Sequence, residues 1–298
     1  MQVSSSQSYR ERLAKPEVAG LVSCVWIQRI SPAAPVYEHR TVPNGCVEIS
    51  CVLGEGLIRV AGPKQAPAVG RLAPGETVVG LRFRPGRAPA LLAPPVSELV
   101  DLEVELDRLW GRPAVTLGER IAEAASAEDA SRLLEQALVT RSADAPEPDV
   151  LVAEAVDRLQ PWRSAHVSRV ASDLFISPRQ MRRRFLATLG CGPKELQRIL
   201  RFQGFLALSD ARHAGDMTIA RLAHEAGYAD QAHLTRECAR LSGLPTSAFL
   251  EQMRASCGPS HDHTPSFAGL RHALLRTRVS LNSHRMSGLF KTDGRSRR

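Results

Sequence analysis

Arginines at 179, 182 and 183 in SPRQMRRRF (177–185) fall at i, i+3 and i+4, the spacing that puts side chains on one side of a helix. A guanidinium is a planar fork of donors that grips a phosphate, or the O6/N7 edge of guanine, through two parallel hydrogen bonds. Met181 and Phe185 fall on the other side, so one segment has an apolar face to bury and a cationic face to present. Ser177 ahead of Pro178 supplies an N-cap and a first helical position of fixed φ. A second segment, DQAHLTREC (230–238), repeats the plan with other chemistry. Here Asp230 is the cap, Gln231 can read adenine, Arg236 guanine and Ala232 a thymine methyl, with His233 and Thr235 beside them.

The elements that must carry these faces form an internal repeat. RVASDLFISPRQMRRRFLATLGCGP (169–193) lies over RLAHEAGYADQAHLTRECARLSGLP (221–245). Val170 and Ala171 match Leu222 and Ala223 at an offset of 52, whereas Met181 and Phe185 match Leu234 and Cys238 at 53. The second turn therefore holds one extra residue, and Gly227 suits a position there that needs positive φ. Both copies end in a Gly followed shortly by a Pro, the signature of a helix stop. Each copy reads as helix, tight turn, helix, and PKELQRILRFQGFLAL (193–208) reads as a long helix joining them. The plain alternative is a pair of hairpins in an ordinary helical bundle with a solvated charged face. Tandem repetition with matching terminators favours the groove-binding reading.

The rest of the chain fits around this module. At 298 residues it is long enough for two domains. Residues 1–148 hold 16 Lys and Arg against 18 Asp and Glu, residues 149–254 hold 15 against 11, and residues 255–298 hold 8 against 2. Positive charge thus gathers in the C-terminal half, where an anionic partner would be met. Runs of Val, Ile and Leu between Gly and Pro from Leu21 to Phe83 predict strands; helical spacing predicts helix near 96–99 and over 119–138. The expected fold is an α+β N-terminal domain, β-rich with C-terminal helices, followed by an all-α DNA-binding domain with two helix-turn-helix units. Its expected divisions are a regulatory domain at 8–141, a linker SADAPEPD at 142–149, the double unit at 150–254, and a mobile basic tail at 255–298 that folding does not need. His261, Asp262 and His263 read as part of that solvated tail.

The span from Asp149 to Met253 resembles the DNA-binding module of the AraC/XylS regulators, on the strength of VASDLFISPRQMRRRF and LAHEAGYADQAHLTREC in order with a linking helix between. The resemblance implies that Ser177, Arg179, Arg182 and Arg183, then Gln231, Ala232, His233, Thr235 and Arg236, enter successive major-groove segments of double-stranded DNA. Leu234 and Cys238 stand where the family usually has aromatics, which predicts a looser second core. TVPNGCVEIS (41–50), VGLRFRPG (79–86) and LWG (109–111) are similar to an uncharacterised domain found in front of such modules. Domains in that position bind small effectors or dimerise. A small-molecule effector, a second copy of the chain and RNA polymerase are accordingly the candidate partners besides DNA.

Trp26, His39 and Glu48 could line an effector pocket, and each could equally be core or rim. Cys24, Cys46, Cys51, Cys191, Cys238 and Cys257 are scattered and read as thiols in a reducing compartment, with no ligand spacing for a metal and no cofactor motif. No GxSxG, phosphate loop or HExxH spacing occurs, so no enzyme is expected. The enzymatic rival is an alkyl-transfer repair protein, which needs four cysteines near its N-terminus; only three precede residue 191. A helical module for an acidic protein or RNA is the other rival. No leader and no membrane span are expected, and the place of action is the cytoplasm.

Overall fold

The computed structural model describes residues 6–163, 165–210, 217–256, 261–267, 270 and 273. The N-terminal part is built from β1 (Gln7–Arg12), β2 (Val22–Ile30), β3 (Tyr37–Thr41), β4 (Glu48–Val52), β5 (Ile58–Ala61), β6 (Ala68–Leu72), β7 (Thr77–Phe83) and β8 (Glu103–Glu105). Interspersed with and following these come helices α1 (Pro89–Leu92), α2 (Asp107–Trp110), α3 (Arg112–Ala122) and α4 (Ala127–Ser142). One sheet runs β8-β5-β4-β7-β2-β1, and β3 pairs with β6 apart from it. Alternation sends Val25, Ile49, Val79, Leu81 and Phe83 to one face, where they share a core with Leu117, Ile121, Leu134 and Leu138 of α3 and α4. The opposite face carries Tyr9, Glu11, Trp26, Glu48 and Arg82, and the β3–β6 pair stands over it. Gly80 lies opposite Trp26 in the register, and a Cβ there would sit 2.3 Å from the indole ring, so only glycine admits it.

The helical pattern expected over 119–138 is two helices. Ser126 breaks it by turning its hydroxyl back to accept from the amide of Asp129 and so starting α4. The helical signal near 96–99 is a single 3-10 turn, Val96–Glu98.

Among the described residues, 150–256 are built from helices: α5 (Val150–Arg158), α6 (Val167–Asp173), α7 (Pro178–Leu189), α8 (Pro193–Ser209), α9 (Ile219–Glu225), α10 (Gln231–Ser242) and α11 (Thr246–Ser256). It has two cores, and α8 serves both. Leu196 and Leu200 pack with Met181, Phe185 and Leu189; Phe202 and Phe205 pack with Leu222, Leu234, Cys238, Leu241 and Phe249.

The mobile tail expected from residue 255 requires correction at 261–267. His261–Asp262 forms β9, parallel to β1 at the sheet edge, and Ser256, the last residue of α11, accepts a 2.6 Å hydrogen bond at its carbonyl from Gln7 Nε2. His261 is buried, His263 stacks on Tyr9 at 4.7 Å and Phe267 packs at the edge of the second helical core. The edge strand β1 has open backbone groups to satisfy, and a chain that presents rings to Tyr9 satisfies them. Cys257 and the tail beyond residue 273 lie outside the described residues.

Candidate nucleic-acid interface and ligand cavity

Helix α7 begins in a capping box. Ser177 Oγ accepts from the amide of Gln180 at 3.2 Å, and the Gln180 side chain accepts from the amide of Ser177 at 2.8 Å. Met181, Phe185 and Leu189 turn inward, while Ser177, Arg179, Arg182 and Arg183 are all exposed. Helix α10 starts on Asp230, whose carboxylate accepts from the amide of His233 at 2.6 Å. Gln231, Ala232, Thr235 and Arg236 are exposed on it; His233 is half-buried, its ring edge-on to Tyr228 at 5.2 Å. The structure therefore gathers the sequence-predicted residues on the outer faces of two capped helices, with His233 the least presented.

Most of the module's other described arginines are engaged, Arg221 and Arg254 excepted. Arg158, Arg163, Arg169, Arg184, Arg198 and Arg240 each pair with a carboxylate of the module. Among the described residues, no hydrogen bond or ion pair engages the side chain of Arg179, Arg182, Arg183 or Arg236. Exposed guanidinium groups without internal partners keep their full donor set for an outside acceptor. Sequence reasoning missed the pairing that holds α10 to α8. Arg198 bonds Glu237 at 2.5 and 2.8 Å, and Arg240 reaches Glu195 at 2.5 Å. Arg198 holds the Glu237 carboxyl below its ordinary range, against the opposing effect of burial.

Trp26, His39 and Glu48 line one cavity of about 490 Å³ between the polar face of the sheet, the β3–β6 pair and the helices α8 and α11. Its floor is an ionic cluster that sequence reasoning did not find. Arg82 donates to Glu48 at 2.9 Å, to Glu11 at 3.3 Å and to Ser266 at 3.0 Å, and Glu11 also accepts from Tyr9 Oη and the Ser266 amide at 2.9 Å each. Burial pushes the Glu11 carboxyl up, but hydrogen bonds from His263 and Ser266 and the charge of Arg82 outweigh it and hold it at about 2. Burial lowers His39, despite the opposing pull of Glu48, and so favours its neutral form. Among the described residues, Trp26 Nε1 is a buried donor with no partner. The inverted alternation of QSYRER, with Gln7, Tyr9 and Glu11 inward, was the signal that this face is polar.

Cys24, Cys46, Cys51, Cys191 and Cys238 are free and buried; desolvation pushes Cys24 up to about 11 and Cys46, Cys51 and Cys191 to about 12. They are protonated at neutral pH and poor nucleophiles. Among the described residues, no cluster of three or more His, Cys, Asp or Glu side chains is placed to hold a metal, and no helix is long and apolar enough to cross a membrane.

Residues 170–252 match the family model described as "Helix-turn-helix domain", and residues 10–105 match "Domain of unknown function (DUF6597)". No curated protein sequence matches the chain significantly. Among solved structures, ToxT from Vibrio cholerae is 12% identical, with 83% of this chain and 98% of that chain covered and a TM-score of 0.44. A ToxT structure bound to (E)-4-(8-methylnaphthalen-1-yl)but-3-enoic acid is 11% identical, covering 83% and 99%, with a TM-score of 0.43. By its matched model and its two capped units in series, residues 170–252 of this chain form a helix-turn-helix domain with two units, carried behind a domain of unknown function.

Proposed function

We propose that the protein is a sequence-specific transcriptional regulator in which each chain inserts α7 and α10 into successive major-groove segments on one face of duplex DNA. The observation that carries this is the set of unpartnered arginines, Arg179, Arg182, Arg183 and Arg236, on the exposed faces of two capped helices. The base readers are Arg179, Arg182 and Arg183 in one unit and Gln231, Ala232, Thr235 and Arg236 in the other, with Ser177 and His233 at their margins. The cavity over Trp26, His39 and Glu48 is the effector site. Its apolar wall of Val78, Leu206 and Phe249 and its polar floor suit a small molecule with an apolar body and a hydrogen-bonding end.

Selection of bound duplexes from a random pool, followed by footprinting, tests the reading. Two protected blocks of different sequence, centred about 10 bp apart, are expected from one chain. A single block, or two inverted copies of one sequence, overturns it in favour of a dimer that reads with one unit per chain.

A further inference from the structure

Both recognition helices end against the same loop of the N-terminal domain. Helix α7 stops at Gly190, which is left-handed at φ 68°, and a Cβ there would lie 2.4 Å from Val100 and 3.2 Å from Pro63. Its carbonyl accepts from Gln65 Nε2 at 3.2 Å. Helix α10 stops at Gly243, left-handed at φ 75°, where a Cβ would meet Pro67 at 3.4 Å and Arg40 Nη1 at 3.7 Å. The preceding carbonyl, that of Ser242, accepts from Arg40 Nη1 at 3.1 Å, and Arg40 Nε donates to Gln252 at 2.8 Å. The terminal carbonyls of a helix have no partners within it, so an outside donor at that point fixes where the helix ends in space. Here Gln65 supplies the donor for one recognition helix and Arg40, beside Pro67, for the other.

The loop, residues 62–67, is built to hold its shape. Gly62 donates to the Leu102 carbonyl at 3.0 Å, the Pro63 carbonyl accepts from Asp101 at 3.2 Å, and the Gln65 amide donates to the Asp101 carboxylate at 2.9 Å. A Cβ at Gly62 would lie 1.7 Å from the Leu99 carbonyl oxygen, so the strand-end backbone is pressed directly onto the 99–102 segment. Pro63 and Pro67 fix φ near both ends of the loop.

We infer that the 62–67 loop, with Arg40, is the yoke that sets the separation of the two recognition helices, and that Gln65 and Arg40 are positioning residues for the spacer between the two DNA blocks. The inference rests on the two-block reading above. Gly62, Lys64 and Arg40 also border the cavity, so the yoke is the part of the N-terminal domain that touches both the cavity and the two helix ends.

The test uses the full chain and the selected two-block duplex, with the spacer lengthened or shortened by one and two base pairs. The wild-type protein should prefer one spacer. In Gln65→Ala combined with Arg40→Ala, that preference should fall by roughly tenfold, since each lost hydrogen bond carries a several-fold factor, while affinity for a probe with one block stays the same. Gln65 is exposed, so Gln65→Ala alone should keep the fold; Arg40→Lys replaces Arg40→Ala if the latter melts early. A selective wild type with an unchanged profile in the folded variants overturns the yoke alone and leaves α8 to set the spacing. A wild type indifferent to spacer length overturns both the yoke and the two-block reading.

Discussion

The turn of the first helix-turn-helix unit holds four residues, 174–177, and places Phe175 at φ 54°; that of the second holds five, 226–230, and places Gly227 at φ 82°. The same left-handed corner is thus made once by a bulky residue and once by glycine. Phe175 is 96% exposed, so no burial offsets its backbone strain. The cores differ as well. The first unit carries a ring, Phe185, on its second helix, whereas the second has Leu234 and Cys238 there and takes its rings from Tyr228 of its own turn, Phe202 and Phe205 of α8 and Phe249 of α11. The looser second core expected from the missing aromatics is answered by neighbouring helices: Leu234, Cys238 and Leu241 have no exposed surface. Helix α7 thus brings a ring of its own to its core, whereas α10 brings none and packs on rings from its preceding turn and from α8 and α11.

The harshest trial of this contrast removes the packing residues. Phe185→Ala should cost about 3 to 5 kcal/mol in denaturant unfolding, whereas Cys238→Ala at the matching position should cost only about 1 kcal/mol. Equal losses would show that α10 depends on its own side chains as much as α7 does. On DNA, Arg182→Ala and Arg183→Ala should each cost ~1 to 3 kcal/mol of affinity and relax base preference in one block only, as read by titration against single-base variants of the selected site. Unchanged specific binding in the pair would mean that α7 does not read bases. At the two corners the signs should oppose. Phe175→Gly should stabilise by up to about 1 kcal/mol and Gly227→Ala should destabilise by about as much in thermal melts. The smallest effect is expected for the link between α8 and α10. A double-mutant cycle on Arg198 and Glu237 should give a coupling of about 0.5 to 1 kcal/mol because the pair is partly exposed, and zero coupling would remove it from the account.

What could be read in the sequence follows the same division. Where apolar residues face a core the pattern was plain: β2, β4, β5, β7 and the helices of both units lie where alternation or helical spacing put them. The strands β1, β3 and β9 escaped notice because their inward residues are polar: Gln7, Glu11, His39, His261. They line a cavity rather than an oily interior, and a hydrophobic rhythm is blind to that. The capped helices α7 and α10 and their exposed polar faces were legible because a cap, a terminator and a cationic stripe are local features. The Arg82 cluster and the Gln65 and Arg40 contacts join residues far apart in the chain, as Glu11 with Ser266 and Gln65 with Gly190 illustrate, so no local window contains them.

The pairing of β1 with β9 has a bearing on how the molecule is made. Synthesis delivers Tyr9 first and His261 only after α7 and α10 have been threaded out, so the outer edge of the sheet waits for most of the chain. Closing so long a loop costs little more than closing a shorter one, because the entropic cost grows only logarithmically with length, but contacts between such distant residues form slowly. Until then β1 offers a row of unpaired amides and carbonyls to any extended segment nearby. An N-terminal domain produced by itself would keep that bare edge, and its tendency to pair with a second copy would report on the missing strand rather than on the biology of the intact protein.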